Sequence, residues 1–581
     1  MSTLTPAGSP QFPTIANKVS THEEMDQAIH ALQEHKDTWV ATTLQQRVSL
    51  LTELIQNMAS LAPRWVEACS QAKHLSPQLT GEEWSMGPWP ILRNLRLLRQ
   101  SLLDIEAFGR PRIPGPVTTR DNGQVVAQVF PTNNYDRIFF TNMTAEIWME
   151  PGVSAETLPQ TQALIYQEGQ AQQPGMVALV LGAGNVSSIA PTDVLYKLFV
   201  ENQVALLKMN PVNAYLGPLI EEGFQPLVEQ GFLRVTYGGA EEGSYLCNHP
   251  GIEEIHVTGS DKTFDAIVFG PGSEGARRKV EKQPLRTKRV TGELGNVSPV
   301  IVVPGPWSEA DLRYQAEHIF SMLTTNAGFN CNATRVIITH KGWDQREALL
   351  NKLRDLMAAQ PARQAYYPGA QQRMQSFVEA HPQAERFGGT DNGNLPWTLI
   401  TDVDPKAEDD ICFTTEAFCS LFAETALEAN GVIDYIQKAV NFANEDLWGT
   451  LNVTLLAHPK SLKDPAVSTA VEQAIADLRY GTVSLNYWAG TSFTLGSTTW
   501  GAYPGHTIDD IQSGVGVVHN TYMFSHPQKS VVRAPFKSTP TPPWFATRGQ
   551  VLTKTFPLLA DFEARSSPWK VPSIVLAALG R

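Results

Sequence analysis

The 581-residue sequence lacks features that mark several large classes of protein. No stretch approaches about 18 consecutive apolar residues, so we expect no integral membrane segment. No long basic run is present and the formal net charge is −13, which argues against a nucleic-acid partner. Residues 1–12 lack the charged segment and apolar core of a signal peptide, so none is expected.

Cysteines are few and scattered. The five are Cys69, Cys247, Cys331, Cys412 and Cys419. Their number is odd and no pair has the CxxC spacing of a metal site, so we expect no bound metal. A reducing, cytoplasmic compartment is the simplest interpretation of this usage.

Short apolar runs alternate with helical patterns over much of the chain. Hydrophobic residues make up 42% of the sequence and charged residues 18%, as in globular proteins with large cores. Such alternation predicts an α/β fold whose parallel strands are covered on both faces and whose ligands bind beyond their carboxyl ends. The predicted strands are 176–181, 204–208, 233–237 and 254–257, then 300–303, 335–339 and 449–456.

The first part of the chain has a different pattern. Apolar residues at helical spacing follow a capping box at Thr21 and Glu24, and a second helical stretch covers 44–72. Pro63 is expected to break or kink that stretch. After a proline-rich break, residues 117–149 have the pattern of extended segments, including 137–140, and could leave the main body as an arm.

Two segments carry the chemistry. Cys331 lies in the string NAGFNCNATR, and Glu293 lies 38 residues upstream in VTGELGNVSP. A thiol nucleophile needs a base to move protons and activate water. In order and separation, these strings resemble the two signature segments of the aldehyde dehydrogenase superfamily. The resemblance covers about residues 20–520 and is clearest over 176–420.

The resemblance implies a covalent mechanism. Cys331 would attack the aldehyde carbon, and hydride transfer from the thiohemiacetal to a nicotinamide would leave a thioester. Glu293 would activate the water that hydrolyses the thioester and releases a carboxylic acid. Asn185, in Gly182-Ala183-Gly184-Asn185, resembles the asparagine that stabilises the oxyanion together with the Cys331 backbone N–H.

The resemblance also implies NAD or NADP as cofactor. Lys208 would hold the adenosine ribose, and Pro211 stands where many NAD-selective relatives carry a carboxylate, so either cofactor remains open. Glu416 would bind the nicotinamide ribose and Phe418 would pack against the ring. The other expected cofactor contacts are Gly239, Thr258, Gly259 and Ser260, near the pyrophosphate at a helix N-terminus, and Leu294.

The sequence departs from the family pattern at several positions. Phe264 replaces a second glycine and could crowd the pyrophosphate or reshape its loop. Cys419 and Ser420 replace Gly-Pro, and Asn296 stands where glycine is usual. Two alternatives therefore stay open: an acyl-thioester (acyl-CoA) reductase of the same superfamily, against which Glu293 argues, and a non-catalytic binding protein on a dehydrogenase scaffold.

By this resemblance, the fold consists of two doubly wound α/β domains, for cofactor binding and catalysis, and a small β arm that bridges subunits of a homo-oligomer. Tyr487, Trp488 and Phe493 could line an apolar pocket for a small aldehyde or be ordinary core residues. The expected order is a helical lead-in of the cofactor domain (1–116), the bridging arm (117–150), the cofactor-binding domain (151–290), the catalytic domain (291–480), a return to the cofactor domain (481–525) and a C-terminal extension (526–581).

Overall fold

The structure is a computed structural model that describes residues 18–167 and 173–580. The segment in which no signal peptide is expected lies outside the described residues. The α-helices of the described part are α1 (His22–Ala41), α2 (Leu44–Ala72), α3 (Gly81–Met86), α4 (Pro88–Phe108), α5 (Asn134–Phe139), α6 (Ile189–Phe199), α7 (Gly217–Gly223), α8 (Gln225–Glu229), α9 (Ala240–Asn248), α10 (Asp261–Val268), α11 (Gly272–Val280), α12 (Glu309–Thr324), α13 (Arg346–Ala359), α14 (Ala370–Ala380), α15 (Ile411–Thr414), α16 (Val432–Glu445), α17 (Pro465–Asp477), α18 (Thr491–Leu495), α19 (Gly549–Arg565) and α20 (Val571–Ala578).

Within those same residues, no helix has the length and apolar character needed to cross a bilayer. The strands are β1 (Val117–Thr119), β2 (Val125–Phe130), β3 (Thr144–Met149), β4 (Val177–Leu181), β5 (Val204–Lys208), β6 (Leu233–Thr236), β7 (Glu254–Gly259), β8 (Arg289–Leu294), β9 (Pro299–Val302), β10 (Val336–His340), β11 (Arg363–Gln364), β12 (Glu385–Phe387), β13 (Asn394–Leu395), β14 (Trp397–Ile400), β15 (Leu421–Leu427), β16 (Asn452–Leu456), β17 (Thr482–Leu485), β18 (Thr499–Gly501), β19 (Gly514–Val515), β20 (Val517–His519) and β21 (Pro527–Arg533).

A six-stranded sheet has the order β19-β8-β7-β4-β5-β6. Its strands from β4 to β8 are parallel, and only the short β19 runs antiparallel, against β8. Strand order reverses between β4 and β7, because β5 and β6 lie on one side of β4 and β7 and β8 on the other. Such a reversal opens a crevice at the carboxyl ends of the strands, where doubly wound sheets bind ligands. The expected boundary at residue 290 falls within β8.

An 11-stranded sheet has the order β1-β2-β3-β21-β17-β16-β9-β10-β15-β14-β12. The seven strands from β21 to β14 run parallel to one another. Strand β21 pairs with β17 on one side and antiparallel with β3 on the other. Consequently, β1, β2 and β3 of the expected arm are continuous with the larger sheet of the same chain.

Two predicted extended segments differ in the structure. Residues 134–139 form α5 because the Asn133 side chain accepts hydrogen bonds from the N–H groups of Tyr135 and Asp136 and so caps a helix. The predicted strand 449–456 begins only at Asn452. Gly449 has a left-handed φ of 94°, which is incompatible with a strand and favours the turn observed there.

Pro63 does not end its helix. Helix α2 is continuous from Leu44 to Ala72, with Pro63 inside it and many buried residues along one face. The helix packs against α4 and against α7 and α8 in one large hydrophobic core. This tertiary packing compensates for the backbone hydrogen bond that proline removes.

The C-terminal segment is an integral part of the body. Helix α19 packs against α3 and α4. Its Glu563 accepts hydrogen bonds from Arg93 at 2.8 Å and Arg96 at 2.5 Å, and Arg93 also pairs with the buried Asp136 at 3.0 Å. At the other end of α19, the Thr553 hydroxyl accepts the Gly81 N–H at 3.1 Å, so the helix is fixed at both ends.

Candidate active site

The carboxyl edge of the six-stranded sheet gathers most of the expected site residues. Asn185 follows β4, Lys208 ends β5 and Gly239 follows β6. In the ladder between β7 and β8, Thr258 pairs with Glu293 and Gly259 with Leu294, and Ser260 follows as the N-cap of α10. Residues far apart in sequence therefore meet at one edge.

The two sheets meet end to end at this edge. Strand β8 ends at Leu294 and β9 of the larger sheet begins at Pro299, so only residues 295–298 separate them. Cys331 and Glu416 lie in the turns that precede β10 and β15, neighbours in the larger sheet. The carboxyl ends of one sheet thus face the amino ends of strands in the other, with Glu293 at the junction.

The turn that precedes Cys331 has an uncommon backbone. Asn326 and Ala327 both have φ of 55° and Gly328 has φ of 83°. A Cβ on Gly328 would lie 2.5 Å from the carbonyl oxygen of Cys419, so only glycine fits there. Consecutive left-handed residues cost conformational energy and persist only where the surroundings hold them.

A buried ion pair holds this turn. The Lys73 ammonium donates to the Glu83 carboxylate at 2.8 Å, to the Asn326 side-chain oxygen at 3.1 Å and to the Asn185 carbonyl at 3.0 Å. The Tyr366 hydroxyl donates to the same two oxygens of Asn326 and Asn185. The adjacent Glu82 accepts the Asn326 backbone N–H at 3.1 Å. The turn is therefore tied to α3 and to the loop that carries Asn185.

Glu293 and Cys331 face each other in a dry environment. Burial, with the nearby Asp193 carboxylate, raises the pKa of Glu293 to about 8. Burial and the negative charge of Glu293 likewise hold the pKa of the Cys331 thiol well above its ordinary value. Cys331 as a residue is half-buried, unlike the other four cysteines, which are buried. Burial therefore favours the neutral form of both groups.

Polar side chains fix the Cys331 carbonyl on the opposite side. Ser298 donates to that oxygen at 3.0 Å and Asn452 donates at 3.4 Å. Asn296, which replaces a usual glycine, donates to the Ser298 hydroxyl at 3.2 Å and the Asn452 carbonyl at 3.0 Å. The Asn296 side chain therefore connects residues 295–298, which link the two sheets, to β16. This contact is a structural reason for an asparagine in place of the usual glycine.

Glu416 lies against the same link. Burial raises its pKa to about 7, although Arg335 opposes the shift. A Cβ on Gly295 would lie 2.1 Å from the Glu416 carboxylate, so glycine is needed for this approach. One carboxylate oxygen of Glu416 is buried without a hydrogen-bond partner among the described atoms. Phe418 follows with φ of 41°, and its ring is 6.0 Å from that of Phe329.

Lys208 and Gly239 form another part of the edge. Burial lowers the pKa of Lys208 to about 8, and the Glu242 carboxylate partly offsets that shift. Glu242 also accepts the Gly239 N–H at 2.6 Å. Lys208 is thus close to the Glu242 carboxylate. Pro211, at the position where many NAD-selective relatives have a carboxylate, supplies none.

Phe264 points into the core and not into the loop of Thr258 and Gly259. The residue is fully buried on α10 and packs with Val257, Val268 and Leu294. The ring lies under the β7–β8 ladder, 3.3 Å from where a Cβ on Gly292 would be. Gly259 and Ser260 remain exposed at the start of α10, which suits an anionic ligand.

Tyr487, Trp488 and Phe493 line a cavity beside the Cys331 turn. Asn330 and Asn332, the two neighbours of Cys331, belong to the same lining. The Trp488 indole N–H donates to the Asn332 carbonyl at 2.9 Å. The sequence left open whether these aromatic residues form a pocket or a core, and the structure places them around a pocket.

One cluster of metal-type ligands occurs in the described ranges, formed by His381, Asp410 and Cys412. The Asp410 carboxylate accepts hydrogen bonds from the Cys412 N–H at 2.8 Å and contacts the His381 ring at 3.1 Å. Asp410 is also the N-cap of α15. Helix capping explains this arrangement, and the absence of a metal stays a prediction.

Comparisons with known proteins find similarity to one enzyme family. The family model described as "Aldehyde dehydrogenase family" matches residues 177–388. The chain is 28% identical over 242 residues to 1-pyrroline-5-carboxylate dehydrogenase 2 of Bacillus subtilis. This match covers 38% of the present chain and 45% of that protein. It is 31% identical over 230 residues to the 1-pyrroline-5-carboxylate dehydrogenase of Geobacillus thermodenitrificans, covering 36% and 42%. The matched segments thus span less than half of these curated relatives.

Solved structures match over nearly the whole chain. The NADP complex of an NADP-dependent glyceraldehyde-3-phosphate dehydrogenase from Bacillus halodurans has a TM-score of 0.59 at 17% identity, covering 89% of this chain and 92% of that one. The NAD+ complex of a Mycobacterium tuberculosis aldehyde dehydrogenase has a TM-score of 0.57 at 17% identity, covering 88% and 90%. The chain is thus similar in sequence to the aldehyde dehydrogenase family over residues 177–388. Its α/β fold with two sheets is that of these dehydrogenases.

Sequence patterns missed several residues that shape this candidate site. Lys73, Glu82 and Glu83 hold the Cys331 turn from α2 and α3, more than 240 residues away. Asp193 accepts the Thr258 hydroxyl at 2.9 Å and adds negative charge near Glu293. No local motif marks these residues. The adjacent carboxylates of α3, which are buried despite their charge, are a signal that only the folded chain supplies.

Proposed function

We propose that this protein oxidises an aldehyde to a carboxylic acid with NAD or NADP, through a covalent intermediate on Cys331. The observation that carries the proposal is the Glu293 carboxyl group beside the Cys331 thiol, at the junction of the two sheets. A nucleophile and a base in contact, at the carboxyl edge of a doubly wound sheet, suit covalent catalysis with a nucleotide cofactor.

The chain's own groups have distinct roles in this proposal. The Cys331 thiol loses its proton to solvent water, the thiolate attacks the carbonyl carbon, and the electron pair of the C=O bond moves to the oxygen, which becomes negative. The Asn185 side-chain nitrogen has two N–H groups, of which one donates to the Phe329 carbonyl at 3.0 Å. The other is available to the oxyanion, together with the Cys331 backbone N–H.

Hydrolysis completes the turnover. A bound nicotinamide nucleotide would supply the acceptor for the hydride that the thiohemiacetal loses. Glu293, once ionised, takes a proton from water, and that water attacks the thioester carbon and releases the acid and Cys331. Elevation of the Glu293 pKa to about 8 makes it a stronger base when ionised.

The residues at the carboxyl edge fit a nucleotide. Exposed Gly259 and Ser260 at the start of α10 suit the pyrophosphate, and Phe264 leaves that space clear. Lys208 suits the adenosine ribose. Glu416, with an unpartnered carboxylate oxygen, suits the nicotinamide ribose, and Phe418 suits the ring. Gly239 and Leu294 complete the proposed contacts.

The test measures both products. Purified protein is incubated with aldehydes and either nucleotide, and both reduced nicotinamide and carboxylic acid are quantified beside Cys331→Ala. We expect equal amounts of the two products and no turnover by the variant. An acyl-CoA reductase would instead consume acyl-CoA and reduced nucleotide, and a non-catalytic scaffold would do neither. Turnover by Cys331→Ala at the wild-type rate would exclude the proposed nucleophile.

We also propose a compartment, an oligomeric state and a domain division for this protein. The five cysteines form no disulfide, which suits a reducing cytoplasm. The resemblance to aldehyde dehydrogenases suggests a homo-oligomer whose subunits contact each other through the arm at 117–150. The proposed domain division, from the helical lead-in (1–116) to the C-terminal extension (526–581), is tested by limited proteolysis, which cleaves between domains first. Size-exclusion chromatography with light scattering measures the oligomeric state.

A further inference from the structure

The cavity beside Cys331 has no charged lining residue among the described residues. Three parts of the chain supply most of its walls: the α3–α4 region with Met86 and Trp89, the segment with Tyr487 and Trp488, and the C-terminal segment with Trp544, Leu552 and Phe556. The C-terminal segment thus forms part of the cavity beside the proposed nucleophile.

The C-terminal wall is held in place by specific contacts. The Trp544 indole N–H donates to the Tyr487 hydroxyl at 3.2 Å, and the Trp544 ring lies 5.2 Å from the Trp488 ring. The Phe556 ring meets the Trp89 ring edge-on at 5.1 Å. Since Trp488 also donates to the Asn332 carbonyl, the wall is connected directly to the Cys331 turn.

The polar groups of this cavity offer little to an anion. The Ser85 hydroxyl already donates to the Glu82 carbonyl, and the Thr494 hydroxyl to the Thr491 carbonyl. The remaining side-chain donors of the lining, such as the unpartnered indole N–H of Trp89, are all neutral. A carboxylate or phosphate enclosed here would lose its hydration without gaining a cation, whereas a hydrocarbon chain would gain from leaving water.

We infer that the substrate is an aldehyde with an uncharged hydrocarbon tail, and that the C-terminal segment 544–556 selects it. This inference rests on the proposed function, because it takes the cavity as the route to Cys331. The aldehyde carbon reaches the thiol between Asn330 and Asn332, and the tail packs against Trp89, Leu552 and Phe556. A tail that ends in a negative charge is rejected.

The first experiment compares two aldehydes of the same length, octanal and 8-oxooctanoate, with wild-type protein. Rejection of a buried carboxylate predicts a kcat/KM for octanal at least about 100-fold higher. Among unbranched aldehydes, each added methylene that reaches the cavity is expected to raise kcat/KM about four-fold. Equal use of the two C8 aldehydes would overturn the inference. These measurements need no variant.

A variant then tests the C-terminal wall. Leu552→Arg places a cation in the lining, so the preference for octanal is expected to fall by about 10-fold or more, with a gain for 8-oxooctanoate. Gln550→Arg adds the same charge on the exposed side of α19 and should leave the preference unchanged. An unaltered preference in a folded Leu552→Arg protein would show that this wall does not select the substrate.

Thiol labelling separates the inference from the proposed function. N-hexyl chloroacetamide and its terminal carboxylate analogue alkylate Cys331 without any cofactor or oxidation, and mass spectrometry counts the product. We expect faster labelling by the uncharged reagent, reduced by Leu552→Arg and not by Gln550→Arg. Such selective labelling without aldehyde oxidation would support the cavity and reject the proposed activity. Aldehyde oxidation without selective labelling or selective turnover would reject the cavity inference alone.

Discussion

Asn185 donates its side-chain amide to the carbonyl oxygen of Phe329, 3.0 Å away and two residues before Cys331. This contact ties the Asn185 amide to the turn that carries Cys331. The Asn185 backbone carbonyl is held in turn by Lys73, Asn326 and Tyr366. The proposed oxyanion group is therefore fixed through both its main chain and its side chain, which is the preorganisation that electrostatic stabilisation requires.

Asn185→Ala tests the oxyanion role. Loss of one preorganised donor is expected to lower kcat/KM about 10²- to 10³-fold, because the charge on the former carbonyl oxygen loses a partner. Alkylation of Cys331 by iodoacetamide forms no oxyanion and should change little. Asn213→Ala is the control, because Asn213 donates to the Ala183 carbonyl at 2.8 Å in the same loop. If both variants reduce turnover equally, the effect belongs to the loop and not to the oxyanion.

Glu293 should give the reaction an alkaline pH dependence. With a pKa raised to about 8, the carboxyl group is protonated at lower pH and cannot accept a proton from water. The hydrolysis rate is therefore expected to rise with pH through about 8 and level off above it. Rapid-mixing measurements of acyl-enzyme decay across pH 6–10 follow this step directly. A hydrolysis rate that is flat in this range would contradict the role of Glu293.

Glu293→Gln separates acylation from hydrolysis. The variant should still form the thioester, giving a burst of reduced nicotinamide equal to the enzyme concentration. Steady-state turnover should fall about 10²- to 10⁴-fold, because the general base is gone. Cys331→Ala serves as the control and should give neither burst nor turnover. Wild-type turnover by Glu293→Gln would exclude the base assignment.

Phe264→Ala tests whether the ring obstructs the cofactor. Removal of a fully buried phenylalanine leaves a cavity in the cluster with Val257 and Leu294, so we expect a loss of about 3–5 kcal/mol in unfolding free energy. Affinity for NAD or NADP should not improve, because the ring lies below the sheet edge. Fluorescence titration measures the affinity and urea unfolding measures the stability. A clear gain in nucleotide affinity would mean that the ring does crowd the pyrophosphate.

The sequence predicted the parts of the site that depend on local patterns. Apolar runs predicted β4, β5, β6 and β7, and the rule that ligands bind at carboxyl ends then placed Lys208 and Thr258 at one edge. The strings around Glu293 and Cys331 led to the resemblance that the family model matches over residues 177–388. These signals succeed because each depends on a few adjacent residues and a known strand geometry.

Other parts required the folded chain. Phe264 departs from a glycine pattern, and only packing shows that its ring enters the core. The C-terminal segment had no predicted place, yet α19 packs on α3 and α4 and lines the cavity through Leu552. Contacts between Lys73 and Asn326 span 253 positions. Long-range pairings of this kind have no local sequence signature, because tertiary packing decides them.

The Lys73–Glu83 pair should support both stability and the nucleophile turn. Removal of one charge leaves its partner buried and unpaired, so Lys73→Met is expected to cost about 3–5 kcal/mol of unfolding free energy. The double variant Lys73→Met/Glu83→Gln should be less unstable than the sum of the single variants. In Lys73→Met, the turn at Asn326 also loses a partner, so alkylation of Cys331 should change.

A double-mutant cycle by urea unfolding measures the coupling within this pair. The control cycle is the exposed pair Arg64–Glu222, whose atoms are 2.6 Å apart. Its coupling should stay below about 1 kcal/mol, because solvent screens exposed charges. Since Lys73 also donates hydrogen bonds to Asn326 and Asn185, substitution of Lys73 should change turnover as well as stability. Substitution of Arg64 should leave turnover unchanged. Additive effects of Lys73→Met and Glu83→Gln would mean that the two charges do not depend on each other.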